Sequence, residues 1–355
     1  MEAVFNNPSV FVQSWYVVPL KRKLRIGEAT SVEMFNRRIA VFRDSNNELH
    51  ALDARCPHLG SDLGLGCVIK DHLRCQFHHW SFAGDGRCVN VPALNTIPGW
   101  ARVHSYPIQE RYGAMWLFNG PRPLFPIPPP LGGIAEDELL VSRFPARSFR
   151  CHPHVISCNG LDLHHFKTVH QFDFAKPPVV EVLDPYRIRA NLSIRLSGDS
   201  LLLKILRCIT SQTIESSFTT YGGNMAITEA ELGGFRFSTL FTFLPFPDGR
   251  SMSRTFMFVP RTDKLHSFAT DRMALGLAGI IMIMLLREDC KLFNNIQFQP
   301  HLVSADSVLA TFIRQITALS VFDPTMKLVT PQVETVGMLP SPDIDPLKTF
   351  DQEGP

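Results

Sequence analysis

The chain has 355 residues and a mass of 40.0 kDa, enough for two ordinary domains or one large one. Lys and Arg number 35 and Asp and Glu 33, a net charge of +2 that excludes the basic footprint of a nucleic-acid-binding protein. An apolar content of 45% excludes a chain too polar to build a core. The opening "MEAVFNNPSVFVQSWYVV" has no basic segment ahead of an apolar run, so no signal peptide is expected. The longest apolar run, Met273 to Leu286, is shorter than the roughly twenty residues of a membrane span, and reads as a buried core helix. The eight cysteines are scattered rather than arranged as a disulfide framework. These features predict a soluble protein of the cytoplasm with no membrane span.

The first 120 residues read as β-rich. The segments "SWYVVPL", "RIAVFRD", "LHALDA" and "GAMWLFN" alternate or cluster apolar residues between Gly, Pro, Asn and Asp. "GDG" at 84–86 predicts a hairpin turn. "GPRPLFPIPPPLGG" at 120–133 interrupts regular structure and predicts a domain boundary, giving domains 1–125 and 126–355. Beyond it, "RIRANLSIRL", "SLLLKIL" and "FRFSTLFTFLPF" read as strands, with helices over 267–298 and 304–319. The end, 339–355, reads as a polar tail or loosely docked segment, and no internal repeat is present.

Two constellations carry chemistry. Cys56-Pro57-His58 and Cys75-Gln76-Phe77-His78 form C-x-H, sixteen intervening residues, then C-x-x-H. Zinc is one reading, but zinc fingers pair their cysteines and then their histidines. One Cys and one His from each loop suits a [2Fe–2S] cluster with two thiolates on one iron and two imidazoles on the other. The second constellation is Asn159, Asp162, His165 and His170, within "CNGLDLHHFKTVH". Histidines five apart lie about 140° apart around an α-helix, so sharing one metal requires the helix to bulge or break between them. A distant carboxylate would complete a two-histidine, one-carboxylate site, and "LLREDCKLFNNIQ" offers Asp289 and Glu288. "CHPHVISC" at 151–158 lacks a partner cluster and reads as strand and loop, while Cys67, Cys88, Cys208 and Cys290 read as small buried residues. Neither a phosphate-binding G-x-x-x-x-G-K-[ST] nor a dinucleotide G-x-G-x-x-G is present, so the chain itself should not bind NAD(P)H or flavin.

Together the two motifs, in this order around the proline-rich boundary, resemble the α (terminal oxygenase) subunit of Rieske non-haem iron oxygenases. The first resembles the family's cluster loops, with Gln76 and His79 where proline and glycine are usual. Its C-x-x-H count selects His78 rather than His79, and Ser61 and Phe77 stand where respiratory Rieske proteins carry a disulfide. The second resembles N-x-x-D-x-x-H-x4-H, with His164 one position off register. The resemblance implies an α+β chain: an N-terminal all-β Rieske domain and a helix-grip catalytic domain, an antiparallel sheet around a long helix. It implies a Rieske [2Fe–2S] cluster on Cys56, His58, Cys75 and His78, and a mononuclear Fe(II) on His165, His170 and Asp289. Asp162 would link His78 of one subunit to His165 of the next, within a homotrimer. Electrons would come from NAD(P)H only indirectly, through a separate ferredoxin or flavin reductase. The expected reaction is O2-dependent monooxygenation of a bulky hydrophobic molecule such as a polycyclic, steroid-like or secondary-metabolite substrate. Demethylation, desaturation or oxidative cyclisation is the alternative on the same scaffold. A Rieske electron carrier fused to a ligand-binding module, without oxygen chemistry, is the alternative of another class. The run 273–286 would form the dry wall of the iron pocket.

Overall fold

The computed structural model describes residues 4–197, 204, 207–208, 213–261 and 267–322. The β-rich reading of the first 120 residues holds. Strands Ala29–Met34, Arg37–Arg43, Leu49–Asp53 and Ser105–Tyr106 form one antiparallel sheet, and Trp15–Val17, Ile108–Arg111 and Ala114–Phe118 a second. A third sheet, of Cys67–Ile69, His72–Arg74, Ser81–Phe82 and Cys88–Asn90, includes the expected hairpin at 84–86. Gly86 takes a positive φ there, and an added Cβ would lie 2.0 Å from the Val103 carbonyl oxygen, so the turn needs glycine.

No strand lies between Phe118 and Leu139, where proline removes backbone donors. The remaining strands build one large antiparallel sheet, ordered Leu139–Arg143, Ser251–Pro260, Phe235–Pro245, Met225–Leu232, Thr213–Tyr221, Arg187–Arg195 and Asp173–Phe174. Arg147–Phe149 and Val179–Asp184 pair at its flanks. One face buries Ile188, Ala190, Leu192, Phe218, Ala226, Phe237 and Met257, against which the 27-residue helix Ser267–Phe293 (below, the long helix) packs. The fold is therefore α+β, with mainly antiparallel sheets and few helices. The "SLLLKIL" strand falls largely outside the described residues, though Lys204 within it is helical. The 339–355 tail lies wholly outside them.

Three readings change. "CHPHVISC" is not strand and loop: Pro153–Asn159 is a helix, here α1. His152 Nδ1 accepts the His154 N–H at its start and proline occupies the first turn, where its missing N–H costs nothing. The run 273–286 is not a wholly buried helix segment. Ala278, Ile281 and Met282 are buried, whereas Met273, Leu277, Ile280 and Ile283 are exposed on the outer side. An unbroken apolar run cannot place every residue against one sheet, because a helix turns 100° per residue. Finally, Cys67 and Cys208 are exposed rather than buried.

Candidate metal centres and substrate cavity

The first site is built from two loops on neighbouring sheets. One follows strand Leu49–Asp53 and closes through Gly60 N–H to the Cys56 carbonyl and Cys56 N–H to the Ser61 carbonyl, both 2.9 Å. The other joins His72–Arg74 to Ser81–Phe82 and closes through Cys75 N–H to the Trp80 carbonyl at 2.8 Å. Cys56 and Cys75 are buried and free, while His78 and His79 are exposed. The His58 and His78 rings lie 4.6 Å apart, and Trp80 stacks flat on His58. Burial is the main cause of the Cys56 thiol being pushed up to about 12; the His58 backbone N–H opposes this and the Cys75 sulfur adds to it. Burial and the neighbouring His78 lower the His58 pKa. His58 Nδ1 is buried without a hydrogen-bond partner. A free imidazole nitrogen beside two facing thiols is left unsatisfied by protein atoms, and a metal cluster bound there would satisfy it.

His79, the residue at the usual glycine position, has φ of 59°. The loop needs a left-handed residue at that point, which explains why glycine suits it. The ring stays exposed and is not brought to the cluster loops' interior.

The second site lies between α1, the helix Leu163–Thr168 (α2) and the long helix. The chain is broken between α1 and α2, and α2 ends before His170, with Gln171 at positive φ. The end of α2 between the two histidines lets both imidazoles face one another: His165 Nε2 and His170 Nε2 stand 3.1 Å apart. Asp289 Oδ1, on the long helix, lies 2.9 Å from the first and 3.3 Å from the second. Glu288 instead points outward to Lys291, and His164 is exposed. Burial works to raise the Asp289 pKa, but bonds to His165 and His170 overcome it and leave it at about 2. Three donor atoms at these spacings match one face of an octahedron with bonds of about 2.1 Å. One Nε2–H could serve only one of these three contacts, whereas a cation can accept a lone pair from both imidazoles and the carboxylate at once.

Asp162 begins α2, its Oδ1 accepting the N–H groups of His164 and His165 at 3.0 and 3.1 Å. Asn159 Nδ2 lies 3.1 Å from His165 Nε2. Both therefore position His165, and neither role follows from spacing alone. Asp44, Glu48 and His50 also cluster, but Asp44 is engaged by the backbone N–H groups of Asn46 and Glu48 and by His50.

A cavity of about 190 Å³ opens onto the second site. Its wall is largely apolar, with Ile281, Met282, Leu285 and Leu286 of the long helix along one side. The part of the apolar run that faces inward thus forms the expected dry wall.

Residues 14–107 match the Rieske [2Fe-2S] domain family. The chain is 31% identical over 179 residues to Drosophila melanogaster cholesterol 7-desaturase, covering 49% of this chain and 42% of the relative. It is 32% identical over 170 residues to a Rhodococcus rhodochrous 3-ketosteroid-9-alpha-monooxygenase oxygenase component, covering 46% and 43%. These matches span less than half the length of either relative. Among solved structures, dicamba monooxygenase bound to dicamba superposes with a TM-score of 0.61 at 19% identity, covering 86% of this chain and 96% of that one. The QL mutant of Pseudomonas putida CBB5 NdmA with theobromine gives 0.62 at 19%, covering 85% and 88%. The chain is a Rieske-domain protein with the fold of the Rieske non-haem iron oxygenases. Its homologues are oxygenase components, and its Rieske domain is of the kind that holds a [2Fe–2S] cluster.

Proposed function

We propose that this chain is the terminal oxygenase component of a Rieske system, acting on an uncharged, bulky hydrophobic small molecule, with monooxygenation as its reaction. The observation that carries the reading is the His165–His170–Asp289 site at the wall of an apolar cavity, in the same chain as a Rieske domain. A Rieske electron carrier has no use for that second site. Steroid monooxygenase and sterol desaturase relatives favour a polycyclic substrate, with desaturation as the second outcome.

In this reading the division falls near residue 125. Cys56, His58, Cys75 and His78 hold the cluster, and His165, His170 and Asp289 hold Fe(II). When bound, these groups supply single electrons and O2 activation respectively. The protein's part is to hold them and shape the space between. Asp289 stays anionic, and His165 and His170 offer ring-nitrogen lone pairs. The helical break aims those pairs at one point. Asn159 and the Asp162 cap hold the His165 ring in place. The apolar wall keeps water from the reacting centre. A ferredoxin or flavin reductase supplies the electrons from NAD(P)H, and eight free cysteines fit the reducing cytoplasm. Among the described residues no helix is long and apolar enough to cross a membrane.

The exposed His78 of one copy would meet Asp162 of the next in a head-to-tail homotrimer. The test of the whole reading is oxygen consumption with a surrogate reductase across steroid, aromatic acid and alkaloid panels. We expect uptake with an uncharged polycycle and a product 16 mass units heavier, whereas a chain that takes up no oxygen with its cluster reduced is not an oxygenase.

A further inference from the structure

The apolar face of the large sheet carries two hydroxyls in its middle. Thr228 opposes Phe218 on one side and Thr239 on the other, and Thr239 opposes Met257. Directly opposed residues share a face, so Phe218, Thr228, Thr239 and Met257 form one row across four strands. Thr228 stands in the cavity wall beside Phe218. Both threonine hydroxyls are buried without a hydrogen-bond partner, but Thr239 has no exposed surface and is not part of the cavity wall, whereas Thr228 is. Ser216, also in the wall, is already bonded to the Glu229 carbonyl. Buried hydroxyls are ordinarily paired, and a cross-strand Thr pair can bond internally, yet these two do not. Apart from His165, His170 and Asp289, the described residues of the wall carry no ionisable group.

We infer that Thr228 is a specificity-determining residue that takes an oxygen function of the substrate, a ketone or an alcohol on an otherwise apolar, uncharged skeleton. The inference deepens the proposed function, and rests on it in treating this cavity as the substrate site. The Thr228 hydroxyl can donate to a carbonyl oxygen or accept from an alcohol, and an apolar group placed there would leave it unpaired. A carboxylate has no cationic partner in the wall and would lie near the anionic Asp289.

The experiment is equilibrium dialysis of the full-length metal-loaded protein against three probes: a tetracyclic ketone, the same tetracycle without its oxygen, and a carboxylate derivative. The ketone should bind best. Thr228→Val should weaken ketone binding about tenfold while leaving the oxygen-free probe unchanged. Thr228→Ser, which keeps the hydroxyl, should restore it and separates lost recognition from misfolding. Equal losses for ketone and oxygen-free probe, tighter binding of the carboxylate, no binding of the ketone, or a loss carried instead by Ser157→Ala, whose buried hydroxyl in the same wall also lacks a partner, would each overturn the assignment. Oxygen uptake is read separately: ketone binding through Thr228 without uptake refutes the oxygenase reading alone, and uptake unaffected by Thr228→Val refutes this inference alone.

Discussion

Single residues decide the chemistry of both sites. Asp289 and Glu288 are adjacent, yet only Asp289 reaches His165 and His170, while Glu288 bonds Lys291. Asp289→Ala should abolish iron retention and Glu288→Ala should leave it intact, measured as iron per chain after desalting. Asp162 offers a subtler test. Asn caps a helix as well as Asp, so Asp162→Asn should preserve α2 and both metals while slowing electron transfer between subunits. Single-turnover oxidation of the reduced cluster at near-normal speed in that variant would sink the intersubunit link. His79 holds a backbone conformation that glycine adopts freely. His79→Gly should therefore raise stability by about 0.5–1 kcal/mol in chemical denaturation. An unchanged cluster potential and turnover would make the ring a bystander. His152 gives a pH test away from the metals. Burial holds its pKa at about 4 against an ordinary 6.5, so it stays neutral in the native state. As pH falls from about 6.5 to about 4 the unfolded chain takes up a proton that the native chain refuses, and stability drops, by about 3 kcal/mol at most. His152→Gln should flatten that decline in pH-dependent denaturation, with buried His154, lowered for the same reason, keeping its own share.

At the scale of elements, the end of α2 between His165 and His170 is the feature on which the second site depends, and α1 lies just before it in the chain. Gly160 closes α1, and a Cβ there would lie 2.1 Å from the Phe218 ring, which stands in the cavity wall. Gly160→Ala should cost about 1–3 kcal/mol by overpacking and disturb the cavity near His165, seen as a lowered melting temperature and weaker substrate binding together. The long helix contributes at two levels. Its inner face lines the cavity and its Asp289 completes the site, whereas its outer apolar residues remain exposed. Sequence hydropathy reports only that the run is apolar; which third of it turns inward is set by where the sheet lies.

For the whole molecule, the two sites are independent in construction and, in the proposed function, joined in use. The cluster loops belong to the small N-terminal sheets, the His–His–Asp site to the large sheet and its helices. Cys56→Ser should then remove the visible absorption of the cluster while leaving iron at the second site, and should abolish turnover. Much of this was legible from local text. Loop ligands lie a few residues apart, so counting C-x-H and C-x-x-H names candidates without knowing the fold, and a five-residue gap between His165 and His170 demands a helix break. Alternating apolar residues likewise announce the N-terminal strands. The remaining features depend on contacts between segments far apart in the chain. Asp289 stands 124 positions from His165, and its advantage over Glu288 is one of helix rotation against a distant partner. Thr228 and Thr239 meet only through strand register. Short-range spacing constrains side chains on one loop or one helix, but facing side chains from separate segments are chosen by packing, which no local pattern records.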